Sequence, residues 1–470
     1  MKAFLMKFSS KQISFFFLII SSILFFYILY KERIFHGGSV FSYYLNYYIV
    51  SIVLIVFSII SFKISKNIKI NLILINSSIL IGLYLIEGFL AYQYSTEKSS
   101  RELYIKKNNI VFDQRSKKEV FFEIKKTDPN VTVSLSPANW VNNKEFIKDE
   151  IHPLSGVSNS TTVFCNELGY HAIYKSDRYG FKNPDIEWTQ KNNLQFVLIG
   201  DSFTQGACVN SKDDFAGNMR NFLKNDKKKP GVLNLGFRGQ GPLGEYALLR
   251  EYLPKIKTKR VILIYFENDL GNLLEESRNK ILNKYLLDEN FKQNLALRNE
   301  EKDLYLRNIV DKFLDDQANY QESYFQRRLK KLIKLQNIRS LFVNTQPTVS
   351  GEYIEVLKKT KNLIEKNGAK MYFVYLPSHK KYQKSFIKRA IWTKLRGPLE
   401  RHSFDTYEEI IDLVKSLEIP LVDLHEELFK SMEDPLSVVP LRSHGHFTEE
   451  GYEIVAKVIY NKINEIENNN

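Results

Sequence analysis

Cysteine is nearly absent: of 470 residues only Cys165 and Cys208 are cysteines. No CxxC pair exists, which excludes a zinc ribbon and a thioredoxin-like redox motif. Nucleic-acid signatures are missing too. The formal net charge is +14, yet the lysines are scattered along polar, helix-periodic stretches and mixed with Glu and Asp. No zinc finger or RRM-type motif accompanies them. A solvated basic surface accounts for that charge better than a nucleic-acid partner. No internal repeat is evident, and the GxSxG elbow of the α/β-hydrolases does not occur. What the chain has in quantity is apolar residues, 44% of the total, which argues against disorder over most of its length.

The apolar residues are unevenly placed. Three runs have membrane-spanning length: Ile13–Tyr30, Val40–Phe62 and Ile70–Tyr92. A spanning helix needs about 20 residues at 1.5 Å rise each, and none of the three shows the polar stripe of a soluble helix. Residues 1–96 are therefore expected to be a membrane anchor with three spans. A cleaved signal peptide is a poor alternative, because two further spans follow and no small-residue cleavage site ends the first. Lys2, Lys7 and Lys11 precede the first run, and Lys63, Lys66 and Lys69 fill the second loop. The first loop carries Lys31 and Arg33, offset by Glu32. The positive-inside rule then puts the N-terminus in the cytoplasm and everything after about residue 95 on the periplasmic or extracellular side. Glu87, within two turns of the outer end of the third run, reads as an interfacial carboxylate.

Residues 97–190 are polar and irregular, with β-like pieces at Glu119–Ile124 and Val131–Leu135. They read as a stalk and lead-in that packs on the domain formed by 191–470. There the pattern alternates. Apolar strands are expected at QFVLIGDS, Val232–Leu235, Arg260–Phe266, Ala369–Leu376 and Pro420–Leu424. Helix-periodic stretches separate them: Phe215–Leu223, Leu243–Leu253, Tyr353–Lys366 and Tyr407–Ser416. Continuous apolar strands with helical crossovers predict an α/β fold with a parallel sheet covered on both faces. In such sheets sites form beyond the C-terminal strand ends. An insertion at about 270–344, nearly free of Gly and Pro, predicts helical hairpins. It reads as a lid or partner surface, or equally as a solvated decoration.

The residues that carry chemistry fall at those strand ends. GDSFTQG at 200–206 puts Ser202 at a strand–turn–helix junction, where a helix N-terminus favours developing negative charge. NLGFRGQGPLGEY at 234–246 offers a Gly-rich turn of backbone donors. FENDLGN at 266–272 supplies the Asn268 amide, and SHGHFTEEGYEIVA at 443–456 supplies His446 ahead of a helix. Acyl transfer needs a nucleophile, a base and several preorganised donors, and all are present in order.

Together these blocks resemble the SGNH (GDSL) hydrolase superfamily in its membrane-anchored, cell-envelope form. The likeness covers about residues 160–460, and SDRYGFKNPDIEW at 176–188 resembles the lead-in of such envelope members. It implies a three-layer α/β/α, flavodoxin-like sandwich, with Ser202 as nucleophile, His446 as base, and Gly239 and Asn268 in the oxyanion hole. Phe266 stands where a Gly usually leads the third block. Asp201 and Asp269 read as turn-formers. One departure matters: the family's Asp two or three residues before the His is replaced here by His444 and Ser443. His444 and Asp434, with Glu433 beside it, stand as candidate acid or orienting groups. A Ser–His dyad held by a carbonyl is a second reading, and a weakened or dead enzyme a third.

The expectation is ester hydrolysis or O-acyl transfer on acyl esters of envelope glycans or glycolipids, the glycan by analogy alone. No metal or organic cofactor is implied. The expected partners are the lipid bilayer, a glycan or acylated small molecule and, for transfer, a membrane acyl-donor protein. The rival is an inactive binding or assembly module in polysaccharide modification. Finally, Cys165 and Cys208 lie in polar, loop-like contexts of a domain expected to face an oxidising compartment, so a disulfide is favoured over two buried free thiols.

Overall fold

The computed structural model describes residues 2–35, 41–141, 151–189, 194–226, 230–338, 349–382, 403–442 and 445–469. The chain forms two compact units, residues 1–95 with 328–342, and residues 96–327 with 343–470.

The first unit contains three helices long and apolar enough to cross a membrane. α1 (Ser10–Leu29) starts at a capping box in which Ser9 and Gln12 satisfy each other's backbone N–H groups. α2 is Phe41–Ile60, and α3 is Lys66–Lys107, with its apolar stretch ending at Tyr92 as expected. Phe16, Ile23, Val53, Ile81 and Leu85 are exposed on its surface, whereas Ser14, Ser21, Ser58, Lys69 and Glu87 are buried. Ser21 and Ser58 share a hydrogen bond of 3.2 Å. Lys69 is buried and donates to the Ser10 carbonyl and to the Ser10 and Ser14 hydroxyls. Glu87 is buried as well. Its carboxylate accepts from the backbone N–H groups of Asn337 and Ile338 and from the Asn337 amide. It therefore satisfies backbone inside this unit.

The second unit holds the sheet. Its strands are β4 (Leu194–Gly200), β5 (Gly231–Asn234), β6 (Thr258–Phe266), β7 (Lys370–Leu376) and β8 (Leu421–Asp423), all parallel in the order β5-β4-β6-β7-β8. Alternation along the strands divides their side chains between two cores. Val197, Ile199, Val261, Leu263, Phe373 and Tyr375 face one cluster, which includes helices α7 (Pro242–Tyr252) and α11 (Gly351–Lys366). Phe196, Leu198, Ile262, Ile264, Tyr372 and Val374 face the other, with α6 (Phe215–Phe222) and α12 (Glu449–Asn468). Chain order reverses at β4, whose neighbours β5 and β6 leave in opposite directions. A crevice opens at the carboxyl end of such a strand, and Ser202 sits there.

The lead-in belongs to this unit. Its strands β1 (Thr132–Val133), β2 (Thr161–Val163) and β3 (Ile173–Lys175) form a small separate sheet. Glu119–Ile124, read as β-like, is instead part of helix α4 (Lys117–Lys125). Its capping box, Ser116 with Glu119, satisfies the first turn, and Val120 and Phe121 are buried. The helical insertion comprises α8 (Asp269–Glu276), α9 (Lys280–Leu287) and α10 (Asn299–Ile333).

Candidate active site

The turn after β4 is built around a glycine. Gly200 has φ +153°, and a Cβ there would lie 2.2 Å from Thr204 Oγ1 and 2.7 Å from the Ile264 carbonyl. Only glycine lets the strand end this sharply. Asp201 then caps the short helix α5 (Ser202–Gln205), accepting from Phe203 N at 2.8 Å. It is a turn-former: buried, with its carboxyl raised by that burial and pulled back by the Phe203 N–H bond. Asp269 is likewise buried and accepts from Phe266 N at 2.9 Å.

Ser202 is half-buried, and its Oγ lies 2.8 Å from His446 Nε2. The other side of the imidazole meets a carboxylate that the sequence reading did not name. Glu167 places Oε1 3.1 Å and Oε2 3.2 Å from His446 Nδ1, and Oε2 also accepts the His446 backbone N–H at 2.7 Å. Gly445 makes room for it: its φ is +108°, and a Cβ there would fall 2.2 Å from Glu167 Oε2. Asp434 is not at the site. It pairs with Arg442 on the surface. His444 lies outside the described residues. The Phe203 ring packs 4.7 Å from the imidazole and 4.2 Å from the ring of Phe266, so an aromatic contact occupies the place of the expected leading Gly.

Asn268 donates from Nδ2 to Asp201 Oδ2 at 3.1 Å, and Ser202 Oγ lies 3.5 Å from the same oxygen. The structure thus brings Asn268 and Ser202 to one carboxylate. Gly239 is exposed in the turn after β5 with φ +71°. Its N–H donates to no group among the described residues, while that of Arg238 is held by Gln205 Oε1 at 3.0 Å.

Cys165 and Cys208 form a disulfide with Cα atoms 4.8 Å apart. This ties the segment carrying Glu167 to the loop six residues beyond Ser202. The rest of the lead-in is fastened to the same turn. Buried Lys182 pairs with buried Asp214 and donates to the carbonyls of Gly206 and Val209, each at 2.8 Å. Asn183 exchanges hydrogen bonds with the backbone of Asn234. Ligand atoms of Glu167, Cys208 and His446 lie within 4.8 Å of one another, but the Cys208 sulfur is bonded to Cys165 and has no thiolate to give a metal.

The signal for Glu167 was therefore its neighbour. It stands two residues after Cys165, so pairing that cysteine with Cys208 delivers a carboxylate to the turn that carries Ser202. No protein-family model matches this chain, and neither does any curated protein sequence. Among solved structures it is similar to a chain from Desulfitobacterium hafniense DCB-2 described as a lipolytic protein of the G-D-S-L family (14% identity, TM-score 0.31, covering 57% of this chain and 99% of that one). It is similar to TesA (10%, 0.31, 57% and 98%) and to an acylhydrolase from Bacteroides fragilis NCTC 9343 (14%, 0.31, 59% and 89%).

Proposed function

We propose that this chain is a membrane-anchored serine esterase or O-acyltransferase of the SGNH type, working on acyl esters of envelope glycans or glycolipids. The observation that carries the reading is the hydrogen-bonded chain from Ser202 through His446 to Glu167. Ser202 Oγ would attack the ester carbonyl as His446 Nε2 takes its proton. The imidazolium so formed donates from Nδ1 to Glu167, whose negative charge stabilises it. The N–H groups of Ser202 and Gly239 and the Asn268 amide would receive the oxyanion. His446 then returns the proton to the leaving alcohol, and the acyl group passes from Ser202 to water or to a sugar hydroxyl. Helix layers on both faces of a parallel sheet support the three-layer, flavodoxin-like sandwich of that superfamily. The three apolar helices support the anchor, and the lysine bias supports a catalytic unit outside the cytoplasm. The inactive-module reading drew on the missing acid before His446. With Glu167 on the imidazole it loses that support.

The test uses the full-length chain in detergent. A fluorophosphonate probe should label wild type at Ser202 and leave Ser202→Ala unlabelled. Short-chain acyl esters should be turned over by wild type alone, with glycan acceptors separating transfer from hydrolysis. An unlabelled Ser202 together with no turnover of any ester would overturn the proposal.

A further inference from the structure

Among the described residues of the catalytic unit, most buried and half-buried cations are answered by a carboxylate or by backbone carbonyls. Lys182 meets Asp214, Lys302 meets Asp303, Arg220 meets Glu187 and Arg260 meets Glu467. Arg250 donates to four backbone carbonyls. Such pairing is the rule, because a charge taken out of water without a partner is costly.

Arg238 breaks it. Its side chain is half-buried next to Gly239, and among the described residues it makes no side-chain hydrogen bond or ion pair. What it does have is the Phe164 ring, whose centroid lies 5.8 Å from the guanidinium carbon. Its backbone is fixed by the bond to Gln205, so the guanidinium is held beside the site. Lys117 is the second exception. It is half-buried at the start of α4, reaches only the Ser134 carbonyl at 3.5 Å, and stands 6.0 Å from the Phe313 ring. The Ser134 loop continues to Ser136, which packs on Gly239 so closely that a Cβ there would lie 3.2 Å from Ser136 Cβ. The two cations are close enough to oppose each other. Burial first, and the Arg238 charge second, push the Lys117 amine down to about 7.

We propose that Arg238 and Lys117 form a subsite for an anionic group, a carboxylate or a phosphate, that the substrate carries near its scissile ester. The proposal rests on the ester-chemistry reading and narrows it to acidic esters. A planar guanidinium offers paired N–H donors matched to a carboxylate or phosphate, and an ammonium adds a point charge. The Glu167 carboxylate lies near enough to favour the Arg238 charge, and the ligand would supply the directly hydrogen-bonded anion that neither cation has. In a neutral-substrate esterase, two partly desolvated cations at the oxyanion turn would have no such role.

Matched esters test this on the full-length chain in detergent at low salt. On the acyl half, 4-nitrophenyl hemisuccinate is compared with 4-nitrophenyl butyrate. On the alcohol half, 2-acetoxyethyl phosphate is compared with 2-methoxyethyl acetate. At least one acidic ester should exceed its neutral partner in kcat/KM by about ten- to a hundredfold, the scale of one charge-assisted hydrogen bond. The pair that shows the excess tells carboxylate from phosphate and one half of the ester from the other. Arg238→Gln and Lys117→Gln should each bring that ratio towards one. If Arg238 served only to balance Glu167, Arg238→Gln would slow acidic and neutral esters alike and leave the ratio unchanged, which overturns the subsite. A wild-type ratio near one for both pairs does so as well. Calorimetry with succinate and inorganic phosphate gives a readout independent of turnover. Binding weakened by Arg238→Gln would uphold the subsite even if no ester reacts, and absence of binding to wild type would overturn it.

Discussion

Replacing Glu167 by Gln changes one atom, and the structure predicts a large effect. Glu167 Oε2 is held at 2.7 Å by the backbone N–H of His446, and Oε1 faces Nδ1 at 3.1 Å. The carboxamide has one acceptor oxygen. The fixed backbone N–H claims it, which leaves the NH₂ group at the Oε1 position, pointing at Nδ1. A donor there forces the imidazole proton onto Nε2, the atom that must accept from Ser202 Oγ at 2.8 Å. The base is then in the wrong tautomer and the imidazolium has lost its counter-charge. Loss of the acid from such a triad costs about 10⁴ in kcat, or about 5 kcal/mol of barrier. Glu167→Ala loses the counter-charge without imposing the tautomer, so it should be no worse than Gln. Glu167→Asp keeps the charge on a shorter arm and should retain the most activity. The assay is kcat on a short-chain acyl ester, with the rate of fluorophosphonate labelling as a measure of Ser202 nucleophilicity free of substrate binding. Both should fall together while the unfolding midpoint stays near wild type. A folded Glu167→Gln protein within about tenfold of wild-type kcat would refute the relay, since tautomer blockade cannot be that mild.

Opening the disulfide by Cys165→Ser removes a cross-link spanning 43 positions. The chain-entropy model puts this at about 4 kcal/mol. Denaturant unfolding should show the loss, and turnover should fall because Glu167 is two residues away; an unchanged midpoint and rate would deny the bond a role. Lys182→Met leaves Asp214 buried and unpaired and should destabilise by about 3–5 kcal/mol, with partial recovery in Lys182→Met/Asp214→Leu; a neutral single variant would contradict the pairing. Buried Glu276 accepts from Gly241 N and Leu243 N, and burial pushes its carboxyl up to about 7. The folded state then holds its proton where the unfolded chain has released it, so this group's contribution is present below the unfolded value of about 4.5 and lost as pH rises through about 7, roughly 3 kcal/mol in all. Buried His152, pushed down to about 4, acts with the opposite sign, because its unfolded form takes up a proton first as pH falls. The measurement is therefore the wild-type stability minus that of Glu276→Gln against pH, and a flat difference would refute the shift.

The local chemistry of the chain was enough for much of this. The three helices long and apolar enough to cross a membrane follow from unbroken apolar runs, because a helix in lipid needs no polar face. The five strands of the sheet are short, continuously apolar and bounded by turn residues, so their order of appearance and their parallel pairing could be read directly. The junctions that carry Ser202, Asn268 and His446 were legible because strand ends and helix starts have local signatures. Glu119–Ile124 was not: a nine-residue amphipathic helix and a half-buried strand differ little over six residues, and the Ser116–Glu119 capping box settles the matter only once Val120 and Phe121 have a core to face. The acid of the site was beyond local reading altogether. Glu167 and His446 are 279 positions apart, and nothing near either residue announces the other. Three long-range contacts join them: the Cys165–Cys208 bond, the Lys182–Asp214 pair, and the space left by Gly445. The residue types at the site belong to the sequence. Which carboxylate meets the imidazole, and which cations are brought near that turn, was decided by tertiary packing, because charges interact through space and take no account of chain order.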